Sequence, residues 1–490
     1  MNICSLAFLA CVSVVVIVYH LFAHARERQL FLTTVNYLFL SSLVPNVQSW
    51  LCLLFFIGVT YAMLSSMRAR PSYNSVLVFV GLIVVVFLYL KGYLDMNEIL
   101  PADFQLGPVA VIGLSYMLFK FIHMLVDLSQ GQLAAFSFLS YANYQLSFFT
   151  LLAGPIQRFN DFQRSWEDMD AQPADTRETL QSWSRLLTGL LKMGVLAPLV
   201  EQLVVGQDAK SDVLQRFAIQ FYGFPVYLYL NFSGYTDVVI GCGRLLGFQL
   251  PENFNCPYLA RNAIDFWNRW HMTLTHWIRD YIFMTSYKRV AETVPAWSKP
   301  LGYVLLFFSL FVAGVWHGVT VSFAVFGIIH GLGVALNQAY TDALKAWLGR
   351  AGLQRYQKNC CIHLLAVVVT FHFVCFSFLF FALDVRGAWE LLEAALGQLM
   401  ALASTVEVHW FYRASLIEAG LVLLLAVLRW RRPASGGRKP PDGPSGGLRP
   451  PLAGRWLYAL VFAKTALVVL LFTAMWLSQQ KDPVLVYMRF

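Results

Sequence analysis

The chain has 490 residues, of which 58% are hydrophobic and 13% charged, with a mean hydropathy of +0.58 and a formal net charge of +9. Apolar runs this long and numerous exclude a soluble enzyme of two or three globular domains and describe a polytopic membrane protein. The positive excess lies mainly in short loops, where the positive-inside rule and anionic headgroups account for it, and no nucleic-acid recognition module accompanies it.

In chain order, the run at 3–22 has no basic residues before it and no clear small-residue cleavage site after it, and is followed by Arg26 and Arg28. It predicts a retained helix with its N-terminus outside. Spans are expected at 31–43, 49–67, 74–94 and 107–128, the last with Lys120, His123 and Asp127 reaching toward the headgroups. A plain span at 133–153 would put Arg158, Arg164 and Arg177 outside, against the charge rule, so a re-entrant element is expected there. Residues 154–180 read as a polar connector with a solvated acidic run at Trp166, Glu167, Asp168 and Asp170.

Further spans follow at 185–205 and 216–240, and those at 301–325 and 322–339 overlap at Val321-Ser322, which demands tilted or short helices or a tight bend. Residues 361–383 and 411–429 are clear spans and 388–404 a moderately apolar one; the basic Pro/Gly stretch 431–455 predicts a cytoplasmic linker before a last span at 456–477. The expectation is one all-α integral membrane domain over 1–490 with about ten to thirteen membrane elements, re-entrant ones included. The 8 cysteines show no CxxC pair or regular framework and read as packing residues.

One polar stretch, 221–289, breaks this pattern and points to a protein-lined cavity. It holds Asn231, Asp237, Arg261, Asp265, Asn268, Arg269, His271, His276, Arg279 and Asp280. Residues 261–279 predict one or two short helices with Asp265, Arg269 and His276 along one side. His271, between Trp270 and Met272, and His317, in GVWHG, are the candidate proton-transfer groups. His271 and His276 lie five apart with no Glu between them, unlike a helical zinc motif, so no metal is expected. GCGRLLG at 241–247 follows an apolar helix instead of a strand, so its glycines read as helix-packing positions. Ser233, in NFSGY, lies outside any GxSxG elbow. The residues leave open a histidine-based transfer between two substrates, a transporter or flippase, and a membrane scaffold that only recruits an enzyme.

The run YLYLNFSGYTDVVIGCGRLLGFQLPENFNCPYLARNAIDFWNRWHMTLTHWIRDYIF, followed by VAGVWHG and FGIIHG, resembles the bacterial membrane-bound O-acyltransferases. The branch is that of the teichoic-acid D-alanyl transfer and alginate O-acetylation proteins. The likeness is strongest over 221–332, and LLAGPIQRFNDF at 151–162 adds a second motif. FWNRWH and MTSY at 284–287 sit closer to the D-alanyl pattern than to the alginate one.

The resemblance implies a funnel or tunnel leading to a buried histidine. His317 matches the catalytic histidine and His271 the second histidine. Asn231, Asp237, Asp265, Asn268, Arg269, His276 and Arg279 are implied to support the site or line its cavity. It further implies a cytoplasmic thioester co-substrate, acyl-CoA or an acyl carrier protein, with no bound cofactor. The acceptor is an extracytoplasmic polymer, reached directly or through a secreted or membrane-anchored relay partner, and the setting is the bacterial inner membrane.

Overall fold

The computed structural model describes residues 6–44, 46–69, 71–90, 113–169, 175–206, 212–404 and 452–477. Among them the chain is entirely helical. The first part comprises α1 (Leu6–Leu21), α2 (Ala25–Ser41), α3 (Val47–Ala69), α4 (Tyr73–Leu90), α5 (Leu114–Ser129), α6 (Phe138–Leu146) and α7 (Phe159–Met169). Next, α8 (Thr176–Leu191) runs through a π turn into α9 (Ala197–Val205), and α10 (Val213–Ala218) runs through another into α11 (Phe224–Leu245). Two short helices, α12 (Ala263–Trp267) and α13 (Met272–Ile278), precede a third π turn and α14 (Met284–Thr293). The remainder is α15 (Ser298–Trp316), α16 (Val321–Lys358), α17 (Cys360–Ala382), α18 (Val385–Ser404) and α19 (Leu452–Leu477).

Six helices among the described residues are long and apolar enough to cross a bilayer: Val47–Arg68, Tyr73–Leu90, Thr176–Val205, Pro295–Trp316, Val321–Lys358 and Cys360–Ala382. Large apolar side chains cover much of the surface, and the largely apolar interior also encloses polar ones. Leu54, Phe55, Val78, Leu365 and Val369 are exposed, while Asn36, Lys120, His123, Asn143, Gln145 and Asn231 are buried. Hydrocarbon imposes that arrangement, because a polar group facing lipid has nothing to bond. The expected span at 411–429 and linker residues 431–451 lie outside the described residues.

Close backbone approach organises the two best-packed helix pairs. An ideal Cβ at Gly189 of α8 would lie 2.5 Å from the Gly234 carbonyl oxygen of α11, so these helices touch where neither carries a side chain. The glycine of GCG at Gly241 meets Leu186 the same way, as the sequence predicts. In the α15–α16 hairpin a Cβ on Gly314 would run into the backbone of Gly327.

Several expectations change. The junction expected at Val321-Ser322 falls earlier: α15 stops at Trp316, and His317 to Thr320 make the bend. Lys120 and His123 do not reach the headgroups but are buried. Lys120 Nζ donates to the Tyr144 carbonyl (2.7 Å) and to Thr150 Oγ1 (3.0 Å). His123 Nε2 accepts the Phe159 N–H (3.1 Å). Interior polar atoms of the 144–159 segment, which a soluble loop would hydrate, are thus bonded by side chains of α5. Within 133–153, α6 has only nine residues, too short to cross a bilayer, and the turns after it are buried. The connector 154–180 contains α7, whose Phe159, Phe162 and Trp166 are buried, so Trp166 belongs to the core and not to a solvated run.

One end of the bundle is basic. Arg158 pairs with Asp280 (3.0 Å), and Tyr303 near the start of α15 donates to Asp342 of α16 (2.8 Å). Lys288, Arg289, Lys299 and Lys345 flank that contact in sequence, whereas Gly349 (φ 67°, ψ 177°) breaks α16 before Arg350, Arg355 and Lys358, and the chain folds back so that Tyr356 meets Tyr340 (2.9 Å). The α15–α16 bend lies at the other end of the 19-residue α15, about 28 Å away along its axis.

Candidate active site

After α11 the chain reverses at Gly247, runs as a strap to Cys256, and enters α12, where Asn262 Oδ1 caps the helix by accepting the Asp265 N–H (2.8 Å). Helix α12 ends at Trp267, turns closed on the Phe266 carbonyl carry the chain to Trp270, and the backbone then breaks at His271, which adopts φ 43° and ψ 50°. That left-handed conformation costs a non-glycine residue about 1–2 kcal/mol. The strap offsets the cost. The Asn253 carbonyl accepts the Met272 N–H (2.9 Å), the Arg269 carbonyl accepts the Asn255 N–H (2.9 Å), and Asn253 Oδ1 lies 3.2 Å from His271 Nδ1. The ring of His271, 1% exposed, meets Phe232 of α11 edge-on at 4.8 Å.

His317 ends α15, its N–H bonded to the Gly314 carbonyl (3.0 Å). Its ring, 6% exposed, packs among Trp316 (4.9 Å), Phe381 (5.1 Å), Phe323 and Phe326 (both 6.2 Å). The two histidines lie 46 positions apart in sequence and are linked through one ring cluster: Trp270, next to His271, packs on Phe378 (5.3 Å), Phe378 on Phe381 (6.1 Å), and Phe381 on His317 (5.1 Å). A third, His330, packs on Phe326 (4.5 Å), the ring that also neighbours His317. Its Nδ1 accepts the Trp267 indole N–H (3.2 Å), and its Nε2 bonds Ser377 Oγ (2.8 Å), whose own hydrogen goes to the Val374 carbonyl. Both ring nitrogens of His330 are thereby committed to structural bonds.

The other expected site residues separate into groups. Asn231 is buried in α11 beside Phe232. Asp265 bonds Arg269 (2.7 Å) and the Arg261 N–H (3.0 Å), a local clasp that stiffens the entry to α12. The break at His271 means that Asp265 and Arg269 do not share a helix side with His276, which is half-buried in α13. Asn268 and Arg279 are exposed, and Arg279 pairs with Asp280 (2.9 Å). Asp237 pairs with Arg185 (3.0 Å) and Lys192 (2.6 Å) and lines a polar cavity with them. Arg185 also bonds Glu252 of the strap. Burial opposes ionisation of Glu252, but the bond from Arg185 outweighs it and holds this carboxyl below the usual range.

Two cavities approach the histidines. One of about 670 Å³ lies among α4, α5, α13 and α15, is walled by apolar side chains including Phe119 and Trp277, and reaches Trp316, whose indole packs on His317. A polar one of about 350 Å³ lies between α8 and α11 and is lined by Arg185, Lys192, Asp237, Glu252 and Phe254. Phe254 stacks edge-on against Phe232 (5.0 Å), the ring that touches His271. Among the described residues no three His, Cys, Asp or Glu side chains group as metal ligands.

Asn253, Thr273 and His330 are polar residues bonded around the candidate site that the sequence reading did not single out. FGIIHG contains His330, but its burial between Trp267 and Ser377 depends on contacts across 63 and 47 positions.

A helical, multi-pass membrane protein with histidines gathered at two backbone breaks defines the class. The family model of MBOAT, the membrane-bound O-acyltransferase family, matches residues 32–383, and the chain belongs to that family. It is a membrane acyltransferase by that membership. It is 30% identical over 336 residues to a teichoic acid D-alanyltransferase of Bacillus subtilis, covering 64% of this chain and 80% of the relative. It is 27% identical over 331 residues to a probable alginate O-acetylase of Pseudomonas aeruginosa, covering 64% and 59%. A peptidoglycan O-acetyltransferase of Helicobacter pylori is 29% identical over 265 residues, covering 53% and 47%.

Proposed function

We propose that this protein moves an acyl group, D-alanyl or acetyl, from a cytoplasmic thioester to a hydroxyl of an extracytoplasmic cell-envelope polymer. The donor is acyl-CoA or an acyl carrier protein. The acceptor is reached directly or through a secreted or membrane-anchored relay protein, and the enzyme works in the bacterial cytoplasmic membrane. Its fold completes about ten to thirteen membrane elements around a central funnel. The observation that carries the reading is the placement of His317 and His271 at two helix breaks joined by one aromatic cluster, in a chain of an acyltransferase family.

In this reading His317 takes the proton of the acceptor hydroxyl as the oxygen attacks the thioester carbonyl. The tetrahedral oxyanion then collapses, the C–S bond breaks, and the thiolate leaves with the proton that His317 held. A histidine base contributes about 10²–10⁴-fold to such a step. The basic end of the bundle faces the cytoplasm under the positive-inside rule, which puts donor entry there. The His317 bend, at the far end of α15, faces the side from which an extracytoplasmic hydroxyl arrives. Because both rings are nearly covered, turnover requires the aromatic side chains around them to swing aside.

The test is to incubate purified protein and an envelope fraction with labelled acetyl-CoA or with a D-alanyl-loaded carrier protein. One donor is expected to pass its label to polymer or relay partner. His317→Ala protein that inserts and folds normally is expected to lose transfer, and full transfer by that variant would overturn the assignment and favour a scaffold.

A further inference from the structure

We propose that Asn253 is a positioning residue that locks His271 in the tautomer with its hydrogen on Nδ1, so that Nε2 offers a lone pair to the acceptor hydroxyl. This rests on the reading of His271 as a site residue and decides between two roles open to it: orienting the hydroxyl, or donating to the oxyanion.

The geometry allows one hydrogen arrangement. Three groups converge on Asn253 Oδ1: the Thr273 N–H (3.2 Å), Thr273 Oγ1 (2.9 Å) and His271 Nδ1 (3.2 Å). A backbone N–H only donates, so the amide atom facing it is oxygen. Thr273 Oγ1 already accepts the Ile156 N–H (3.1 Å), which directs its own hydrogen toward Asn253. An amide oxygen only accepts, so Nδ1 of His271 must carry its hydrogen, and in the neutral ring Nε2 is then an acceptor. A neutral His271 held this way accepts a hydroxyl hydrogen and has none at Nε2 for an oxyanion.

The support is rigid. Asn253 is fully buried, and its backbone carbonyl holds Met272, the residue after His271. Ile156 belongs to LLAGPIQRFNDF, and Lys120 bonds Thr150 just before that motif, so the second motif is tied to the histidine through Thr273 and Asn253. The energetic balance points the same way. The Asn253 Nδ2 is buried with no hydrogen-bond partner among the described residues, which carries a desolvation cost. Leucine would remove that cost but strand the three donors that its oxygen now satisfies.

The experiment uses the full chain in nanodiscs with ¹⁵N-labelled histidine, the His271 signals being assigned by their loss in His271→Gln. Wild-type protein is expected to show an unprotonated Nε2 and a protonated Nδ1 at neutral pH. A protonated Nε2 in wild-type protein overturns the proposal without recourse to any variant. Asn253→Leu is expected to mix the tautomers and lower kcat about 10–100-fold with little change in donor KM, the size usual for a lost orienting partner. Asn253→Asp, which keeps the acceptor oxygen, is expected to restore the tautomer and most of kcat. An Asn253→Leu protein with the wild-type tautomer or wild-type kcat sinks the idea. If His271→Gln keeps full activity, the role given to His271 fails, while the tautomer measurement still judges Asn253 separately.

Discussion

A methyl group added at Gly314 has no room. Its carbon would sit 2.6 Å from the Gly327 nitrogen and 2.8 Å from the Phe323 carbonyl oxygen, all backbone atoms of α16 that no rotamer change can move. Non-bonded carbon contacts settle near 3.5–4.0 Å, so Gly314→Ala must part α15 and α16 by about 1 Å. Overpacking of this kind costs about 1–3 kcal/mol, against about 0.5–1 kcal/mol regained from replacing a helical glycine. His317 hangs from this contact through its bond to the Gly314 carbonyl, and a displacement of about 1 Å at a reacting group can cost about 10²-fold in rate. Unfolding in detergent and labelled-acyl transfer should therefore both fall. Gly81→Ala in α4 is the control, because nothing lies within 4 Å of its added carbon. It should leave transfer unchanged and hold or slightly raise the unfolding midpoint. Wild-type midpoint and rate in Gly314→Ala would refute the claim that this contact sets the position of His317.

His317→Ala should cut transfer by about 10²–10⁴-fold while the protein still inserts and unfolds at its normal midpoint. Arg185→Met leaves Asp237 with Lys192 alone and should destabilise by about 1.5–3 kcal/mol per lost charged bond, read as a lower unfolding midpoint. In an Asp237→Asn background the same change should cost less, which a double-mutant cycle measures. Glu252 carries a depressed carboxyl, so its contribution to stability is full above the ordinary glutamate value of about 4.3 and is lost as pH falls through its lower folded value. Glu252→Gln should therefore have a lower midpoint than wild type at neutral pH and a flatter decline in acid. Parallel acid limbs would contradict the Arg185 contact as its cause.

The sequence by itself determined the class of molecule and the residues worth watching. Length and continuity of apolar runs specify membrane helices because hydrocarbon accepts nothing else, and histidines set in such surroundings stand out for the same reason. The helix-packing role of Gly241 was legible from its spacing. Which polar residues meet was not. Lys120 and His123 looked like headgroup anchors because only their distance along a helix can be read, whereas the 144–159 segment that bonds them folds back from elsewhere in the chain. Asp237 was legible as a polar residue of the cavity region, but that its partners are Arg185 and Lys192, some 50 positions earlier, was not. The break at His271 is likewise a tertiary event: the left-handed turn is unfavourable locally and persists because the Asn253 strap, 18 positions earlier, bonds the groups it exposes. Periodicity and hydropathy are properties of neighbours along a chain, while the convergence of His271, His317 and their supports is a property of surfaces brought together from remote segments.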